Sequence, residues 1–583
     1  MFQNMTRTVH LAQVNHRYGN NVFLPYAAGL LSAYAKSQPD LAEAYEFGEM
    51  LFLREDPDTV AARWSGADVV GLSSYIWNWE YNKALAAAIK RTNPTCLVVV
   101  GGPQTPQEPE VWNPHVDVLV HNEGEITFAQ VLRERLKPSF GTVAGTTTRL
   151  GAAPPRDRLK NPDEVPSPYL TGLFDGFFDA HPDLDFHATS ETHRGCPWSC
   201  SWCDWGGLVY TKINRFSDER VKAEYDWMAA HEIELVYNAD ANFMMLPRDD
   251  GLTDHLIDLK SRTGWPKQIR AAWAKNSSEK QYVTARKLHA AGMDKGVTLA
   301  LQSLHPPTLE AVKRKNIRFD DFGALVRHYQ EAGMPVYTEL ILAQPEETYD
   351  SFANGLGKIL ETGLHDGLNV YLCMVLPNSE LGDPAYRKRY GIVSVGSPLL
   401  QQHSSAAADN IEERAEMVIG TDAMPRRAFV AAFTLAWAVQ TFHGMGLLRH
   451  TAAWFRRTQG SYLEFYETLV RAARRRPDTI LGQSLLQLEW RLLKGMAGEG
   501  WGYSDDRYGD VMWPLEEATF LDIVTGDLGL FYEQIRTHLG APAAAVTADR
   551  DGLRTPDEFD DDVVEYAKQI VWYGRKGGKF RKE

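Results

Sequence analysis

A chain of 583 residues with 44% hydrophobic and 23% charged content has ordinary globular composition and length for about three or four domains. Its net charge of −15 excludes a general binder of nucleic acid or of anionic membrane, because phosphate recognition needs a surplus of Lys and Arg. The start, MFQNMTRTVH, lacks the apolar run of a signal peptide. The longest apolar stretch, near residues 429–442, is too short to span a bilayer, so a cytoplasmic protein with no membrane partner is expected.

In chain order, the first 135 residues alternate strand and helix. Residues 9–14, 68–74, 96–100 and 116–120 are short apolar runs ended by turn residues, and residues 25–36 are apolar at helical spacing. Short buried strands separated by helices predict a parallel, doubly wound sheet, whose ligands sit beyond the carboxyl ends of the strands. Residues 136–185 read as a linker, Pro/Gly-rich up to NPDEVPSPYL. A second alternating series follows at 188–192, 233–237, 268–272, 297–301, 337–342 and 368–374. It predicts a partial (β/α)6 barrel over residues 186–390 with its chemistry at the strand C-termini. Residues 391–583 read as mainly helical (410–418, 426–444, 460–475, 479–494 and 515–537). The terminal residues 574–583 form a basic, solvated tail.

Only five cysteines occur, Cys96, Cys196, Cys200, Cys203 and Cys373, and three of them lie in one loop, HRGCPWSCSWCDWGG. That is no disulfide framework; it suits a metal or cluster site in a reducing compartment. Three thiolates spaced Cys-x3-Cys-x2-Cys can cap three irons of a [4Fe–4S] cubane and leave the fourth open. Structural zinc usually takes four protein ligands, and no fourth cysteine is near. Cys96 and Cys373 lie in apolar runs and read as buried packing.

This loop after a first barrel strand resembles the radical S-adenosylmethionine (SAM) superfamily. Trp202 stands at the aromatic position of the family's CxxxCxΦC motif, beside the SAM adenine. The resemblance continues in order through NADANF (238–243), ALQSL (300–304), LEAVKRKN (309–316) and ELILAQPEET (339–348). It implies SAM contacts from Trp202, Asp240, Gln302, Ser303, Arg314 and Glu339, with Arg314 facing the SAM carboxylate, whose geometry a guanidinium matches. The family usually has Gly where this chain has Ala343.

The order of a nucleotide-like domain (1–135), linker and barrel resembles the cobalamin-binding branch of that superfamily, through FLPYAAGLLSAYA, GLSSY, VVVGG and VHNEGEITF. The resemblance implies cobalamin contacts from Ser73, Ser74, Tyr75, Trp77, Asn78, Gly101, Gly102, Glu123 and Gly124. The two glycines would permit close approach of a large ring. In VNHRYG, His16 and Gly19 keep half of the cobalt-ligating Asp-x-His-x-x-Gly motif, but Val14 replaces the Asp. The expectation is therefore cobalamin without a His ligand, its lower face covered from SSYIWNWEYN. If that loop is extended, Trp77 and Trp79 face one side and Asn78 the other.

The branch's usual reaction is methylation of a carbon centre in a small molecule or peptide natural-product precursor. One SAM supplies a methyl through methylcobalamin and a second supplies a 5′-deoxyadenosyl radical. A cobalamin-dependent rearrangement or ring contraction, polar methylation of an aromatic carbon, and a non-enzymatic cobalamin or redox sensor are the alternatives. The implied partners are the substrate and an external electron donor such as flavodoxin or ferredoxin, with no nucleic acid and a monomeric state. The architecture and the Ala-, Arg- and Asp-rich composition point to bacterial specialised metabolism such as antibiotic biosynthesis. His443 and Tyr503, in aromatic clusters of the C-terminal region, are candidate pocket residues.

Overall fold

The computed structural model describes residues 6–107, 113–137, 140–207, 212–274, 279–294, 296–365, 367–404, 409–509 and 511–552. The basic tail at 574–583 lies outside the described residues.

The chain opens with β1 (Arg7–Ala12), a hairpin of β2 (Arg17–Tyr18) and β3 (Asn21–Phe23), and then β4 (Tyr45–Leu51), β5 (Val69–Ser73), β6 (Leu97–Gly101), β7 (Val118–Val120), β8 (Thr146–Thr148) and β9 (Gly151–Ala152). The first sheet runs β4-β1-β5-β6-β7-β8-β9. It is parallel from β4 to β7, and β8 and β9 add antiparallel at one edge. All five residues of β5 are buried, as an inner strand covered on both faces requires. Helix Trp79–Thr92 packs Tyr81, Leu85 and Ile89 on one face, and helices Tyr26–Lys36 and Glu125–Arg135 pack Ala28, Phe128 and Val131 on the other. The segment expected to be a linker thus contributes two strands, and its Val165, Tyr169 and Phe174 are fully buried.

The second unit holds β10 (Asp185–Ser190), the short β11 (His193–Arg194) and β12 (Asn214–Arg215), β13 (Leu235–Phe243), β14 (Gln268–Trp273), β15 (Val297–Thr298), β16 (Val336–Leu342) and β17 (Leu368–Leu372). These form a parallel run β14-β13-β10-β3 with β2 antiparallel at its end, and a second parallel run β15-β16-β17, with β14 beside β15. The arrangement is an open (β/α) barrel. β3, from the N-terminal segment, pairs in parallel with β10 through Asn21–Asp185, Val22–Phe186 and Phe23–His187.

Beyond it, β18 (Met374–Val375), β19 (Val393–Pro398) and β20 (Arg414–Gly420) form an antiparallel sheet in the order β18-β20-β19. The helix expected at 410–418 is therefore β20. Its helix-forming Glu and Ala yield to pairing on both sides, a tertiary override of propensity. Apart from a short antiparallel pair, Gly502–Tyr503 with Trp513–Pro514, the described remainder is mainly helical, as expected. The helix expected over 515–537 breaks into Leu515–Val524 and Leu528–Leu539, with the Asp527 carboxylate capping Leu530 N–H at 2.8 Å. Helix Arg426–Ala438 ends in a π-turn, Val439–Gly444.

Among the described residues no single helix is long and apolar enough to cross a membrane. One sharply bent pair, Arg426–Gly444 with Arg449–Thr458, meets the criterion only when its two helices are taken together. Its Phe429, Leu435, Trp437 and Phe442 are buried in the largest core.

The C-terminal region also clasps the first sheet. Glu413 accepts hydrogen bonds from Glu80 N–H at 2.8 Å and Tyr81 N–H at 3.0 Å, at the start of helix Trp79–Thr92, and lies 3.2 Å from Arg54, which also binds Asp409 at 2.7 Å. Replacing Glu413 with Ala strips two helix N–H groups and a mostly buried guanidinium of their acceptor. It should cost about 2 kcal/mol, read as a lower midpoint of thermal unfolding. An unchanged midpoint would show that this carboxylate does not seat the helix.

Candidate functional site

The cysteine loop leaves β10 and β11 at the carboxyl edge of the barrel sheet, where barrel chemistry is built. Its backbone is pinned from two sides. Ser201 N–H donates to Val312 C=O at 3.1 Å, Leu381 N–H donates to Ser201 C=O at 2.7 Å, and the Ser201 and Tyr386 hydroxyls lie 3.0 Å apart. Cys196 and Cys200 are buried and Cys203 half-buried. The Asn242 amide donates to Cys196 Sγ at 3.1 Å. Arg314, whose Nε donates to Asn316 Oδ1 at 2.8 Å and whose Nη2 donates to the Ala300 carbonyl, lies beside Cys200, Cys203 and Glu339; burial draws its guanidinium below the usual range, opposed by those groups. One sulfur receiving an N–H bond and two beside a buried cation form a set suited to thiolates. Among the described residues no three His, Cys, Asp or Glu side chains converge on a point, as a single metal ion would require. A cubane does not need that convergence, since each thiolate ligates a different iron.

The expected SAM residues divide into two groups. Arg314, Glu339 and Gln302 lie together beside the cysteines: Gln302 N–H donates to Glu339 C=O at 2.7 Å, and burial pushes the Glu339 carboxyl above the usual range, opposed by Gln302 and Arg314. Trp202 is half-buried against the same core. Asp240 and Ser303 are instead committed within the scaffold. Asp240 Oδ1 accepts Thr192 N–H at 2.8 Å and His193 N–H at 3.0 Å; Oδ2 accepts the Thr192 hydroxyl and the Asn238 amide at 3.1 Å and lies 3.2 Å from His193 Nδ1. Burial opposes its ionisation, yet these bonds hold the carboxyl below its usual range. Asp240 thus orders the approach to the cysteine loop and has no capacity left for an amino group. The Ser303 hydroxyl donates to Glu347, which also accepts from Ser351.

At the carboxyl edge of the first sheet, Ser73 and Ser74 end β5, and Tyr75 and Trp77 stack at 4.5 Å and 8°. The loop is a turn, not an extended strand, and Trp79 begins the next helix, so the expected alternation of Trp77, Asn78 and Trp79 does not hold. Asn78 is buried: its oxygen accepts Tyr75 N–H at 2.8 Å, and its amide donates to Val14 C=O at 2.9 Å and Ser73 C=O at 3.1 Å. It therefore locks the loop and is not a free ligand group. Gly102, at φ 114°, is required for a loop-to-loop approach, since a Cβ there would stand 2.5 Å from Ser74 O. A Cβ at Gly101 would meet Val120, and one at Gly124, the N-cap of helix Glu125–Arg135, would meet Leu31. Glu123 faces Leu159 N–H at 2.7 Å and Arg194 at 3.5 Å, at the junction with the barrel.

His16 precedes the β2–β3 hairpin, where Gly19 turns at φ 62°. Burial, and then the Arg54 charge, lower its ring to about 4, so it is neutral at pH 7. His443 is a core residue, bonded to His365 Nδ1 at 2.9 Å and the Tyr466 hydroxyl at 2.7 Å. Tyr503 lies under the Arg491 guanidinium at 3.7 Å.

Sequence reasoning missed Asn242. It lies two residues beyond Asp240 on β13, on the same strand face as Asn238 and Asp240, and the period of two does not say which member meets the cysteine. It also missed Arg194, whose only signal is its place in HRGC.

An α/β domain followed by an open barrel carrying this cysteine loop defines a radical SAM architecture with a cobalamin-type domain before it. Family models agree: the B12 binding domain matches residues 49–132 and the radical SAM superfamily residues 190–356. The chain is 38% identical over 478 residues to the cobalamin-dependent radical SAM methyltransferase TokK of Streptomyces tokunonensis, covering 80% of this chain and 70% of that one. It is equally similar to the 2-(S-pantetheinyl)-carbapenam-3-carboxylate methyltransferase of Streptantibioticus cattleyicolor, at 38% over the same shares. Among solved structures, TsrM of Kitasatospora setae, with tryptophan and a SAM analogue bound, matches in fold at TM-score 0.55 and 16% identity, over 74% of this chain and 89% of that one. OxsB, with aqua-cobalamin and SAM, matches at TM-score 0.54 and 14% identity, over 98% and 84%. The chain belongs to the cobalamin-dependent radical SAM methyltransferases, enzymes that use cobalamin, a [4Fe–4S] cluster and SAM.

Three strand ends of the barrel share one backbone feature. Met244 after β13, Gln302 after β15 and Ala343 after β16 have φ of 67°, 64° and 65°, left-handed values that cost a non-glycine residue about 1 kcal/mol or more. Ala343, fully buried, keeps the backbone of the glycine usual in the family. Ala343→Gly should therefore leave the unfolding free energy within about 1 kcal/mol of the parent, relief of strain offsetting the added chain entropy. Ala343→Val should cost about 3 kcal/mol through strain and overpacking. Equal stability of the two variants would refute this account.

Proposed function

We propose that Cys196, Cys200 and Cys203 hold the family's [4Fe–4S] cluster, that Trp202, Gln302, Arg314 and Glu339 hold SAM beside it, and that Ser73, Ser74, Tyr75 and Trp77 face the cobalamin. The observation that carries the cluster reading is the surroundings of the sulfurs: the Asn242 amide on Cys196 at 3.1 Å, and the buried Arg314 guanidinium beside Cys200 and Cys203. For cobalamin, the fit is that Ser74 Oγ, Trp77 Nε1 and Thr105 Oγ1 are buried without a hydrogen-bond partner, in the β5 and β6 loops. Buried polar atoms are nearly always paired, so such orphans accord with a ligand rimmed by amides.

Bound together, these groups supply a methyl group and a hydrogen-abstracting radical. The chain's part is placement and exclusion of water. Arg314 and Glu339 orient a zwitterion, and the Tyr75–Trp77 stack presents an apolar surface that keeps water from one face of the corrin. The substrate class that the relatives favour is a small organic acid of the thioether carbapenam kind, methylated at carbon, in antibiotic biosynthesis. A cytoplasmic monomer drawing electrons from a flavodoxin or ferredoxin completes the reading. Incubation with methyl-labelled SAM and 2-(S-pantetheinyl)-carbapenam-3-carboxylate tests it. Label in the product together with 5′-deoxyadenosine supports radical methylation; label without deoxyadenosine indicates polar methylation; deoxyadenosine with an unlabelled, rearranged product indicates ring contraction.

Cys200→Ala should remove cluster iron and all SAM cleavage, and retention of either in that variant would sink the cluster assignment. Trp77→Ala should admit water or added imidazole to cobalt. That is visible as a shift in the Co(II) electron paramagnetic resonance spectrum, with cluster content unchanged and methylation slowed about tenfold. An unaltered spectrum would move the search to Tyr75.

A further inference from the structure

Three stretches of chain far apart in sequence meet in one buried ionic cluster below the cysteine loop. Arg194, two residues before Cys196, is at its centre. Its Nη2 donates to Glu125 Oε1 at 2.7 Å, its Nη1 lies 3.5 Å from Glu123 Oε1, and its Nε donates to both oxygens of Glu191 at 3.1 Å. Glu123 and Glu125 open the helix Glu125–Arg135 after β7, in the first sheet's domain; Glu191 and Arg194 belong to the barrel. The intervening segment closes the ring: Leu159 N–H donates to Glu123 at 2.7 Å and Arg158 Nη2 donates to Arg194 C=O at 2.7 Å. The Arg194, Glu123, Glu125 and Glu191 side chains are 9%, 12%, 7% and 12% exposed.

A buried ion cluster is weak evidence for stability, because desolvation offsets the attraction; its best-attested use is to fix register. Here the register in question is that of the cysteine loop against the carboxyl edge of the first sheet. Arg194 suits that use, because a planar guanidinium binds carboxylates in fixed directions, and each of its nitrogens is assigned to a different glutamate.

We propose that Arg194 is a positioning residue, which locks the cluster loop to the cobalamin domain through Glu125 and Glu123 and so sets the distance between the two metal cofactors. The proposal rests on the placement of cluster and cobalamin above. If Cys200→Ala keeps its cluster, that placement fails; if Cys200→Ala loses it while the variants below behave as wild type, only the lock fails.

The test uses holoenzyme of wild type, Arg194→Gln, Arg194→Lys and Glu125→Gln. The dipolar coupling between the reduced cluster and Co(II) reports the distance distribution between them. The ratio of deoxyadenosine to methylated product reports coupling of the chemistry. Iron and cobalamin contents are measured in parallel. The expectation is a narrow distribution in wild type, a broadened one in Arg194→Gln and Glu125→Gln, and a deoxyadenosine-to-product ratio raised about tenfold, with both cofactors retained. Arg194→Lys, which keeps the charge but not the fork, should fall between. Glu125 lies outside the cysteine loop, so Glu125→Gln decides the matter even if Arg194→Gln loses its cluster. An unbroadened distribution and unchanged ratio in Glu125→Gln overturn the proposal, as does Arg194→Lys matching Arg194→Gln in both readouts.

Discussion

Hydrogen bonds between β3 and β10 tie the barrel to a strand that follows β1 of the first sheet by only a short hairpin. Parallel sheets present their ligand-binding loops at one edge only, so two such sheets can cooperate only if those edges face each other. β3 achieves this covalently: it continues the barrel sheet while its own chain has just left the other. Its Val22 is buried in the core that also holds Phe186 and Ala188 of β10, so the tie is hydrophobic as well as hydrogen-bonded. Glu413 and Arg54 add a separate tie, between the C-terminal region and the first sheet. The sites are therefore arranged by backbone pairing first and by side chains second.

Much of this was legible from periodicity. Continuous apolar runs ended by turn residues announce inner parallel strands, and β5 and β6 lie where those runs stand. The cysteine loop was legible because three thiolates at that spacing have few other uses. What stayed hidden depends on partners distant in sequence. β3 is three residues long, and nothing in NVF says that it will leave its own domain's sheet. β20 looks helical by composition until β18 and β19 flank it. β8 and β9, in a stretch that reads as linker, are strands only because β7 offers an edge.

The candidate site residues follow the same division. Cys196, Cys200 and Cys203 were identifiable singly, because the chemistry is theirs. Asp240, Ser303, Asn78 and Glu123 stand out in sequence only by type and place, and each spends polar atoms inside the protein. A carboxylate at a strand end looks the same in sequence whether it faces a ligand or a neighbouring loop. Only the donor count separates the two, and that count needs coordinates. Gly102 teaches the same lesson about space: the room it leaves is filled by Ser74, not by a cofactor.

That spending has a consequence for how the site works. Each polar group fixed by its own scaffold is one that need not be ordered when a ligand arrives, so the ordering cost is met at folding instead. The left-handed residues at Met244, Gln302 and Ala343 fit the same logic. Their conformations cost free energy, and they persist because buried strands on both sides over-determine them. A chemistry in which a reactive species must meet one carbon and no other gains from a rigid enclosure more than from any single acid or base. The protein accordingly invests buried charges such as Arg194, Glu125 and Glu191 in the frame that holds the cysteine loop.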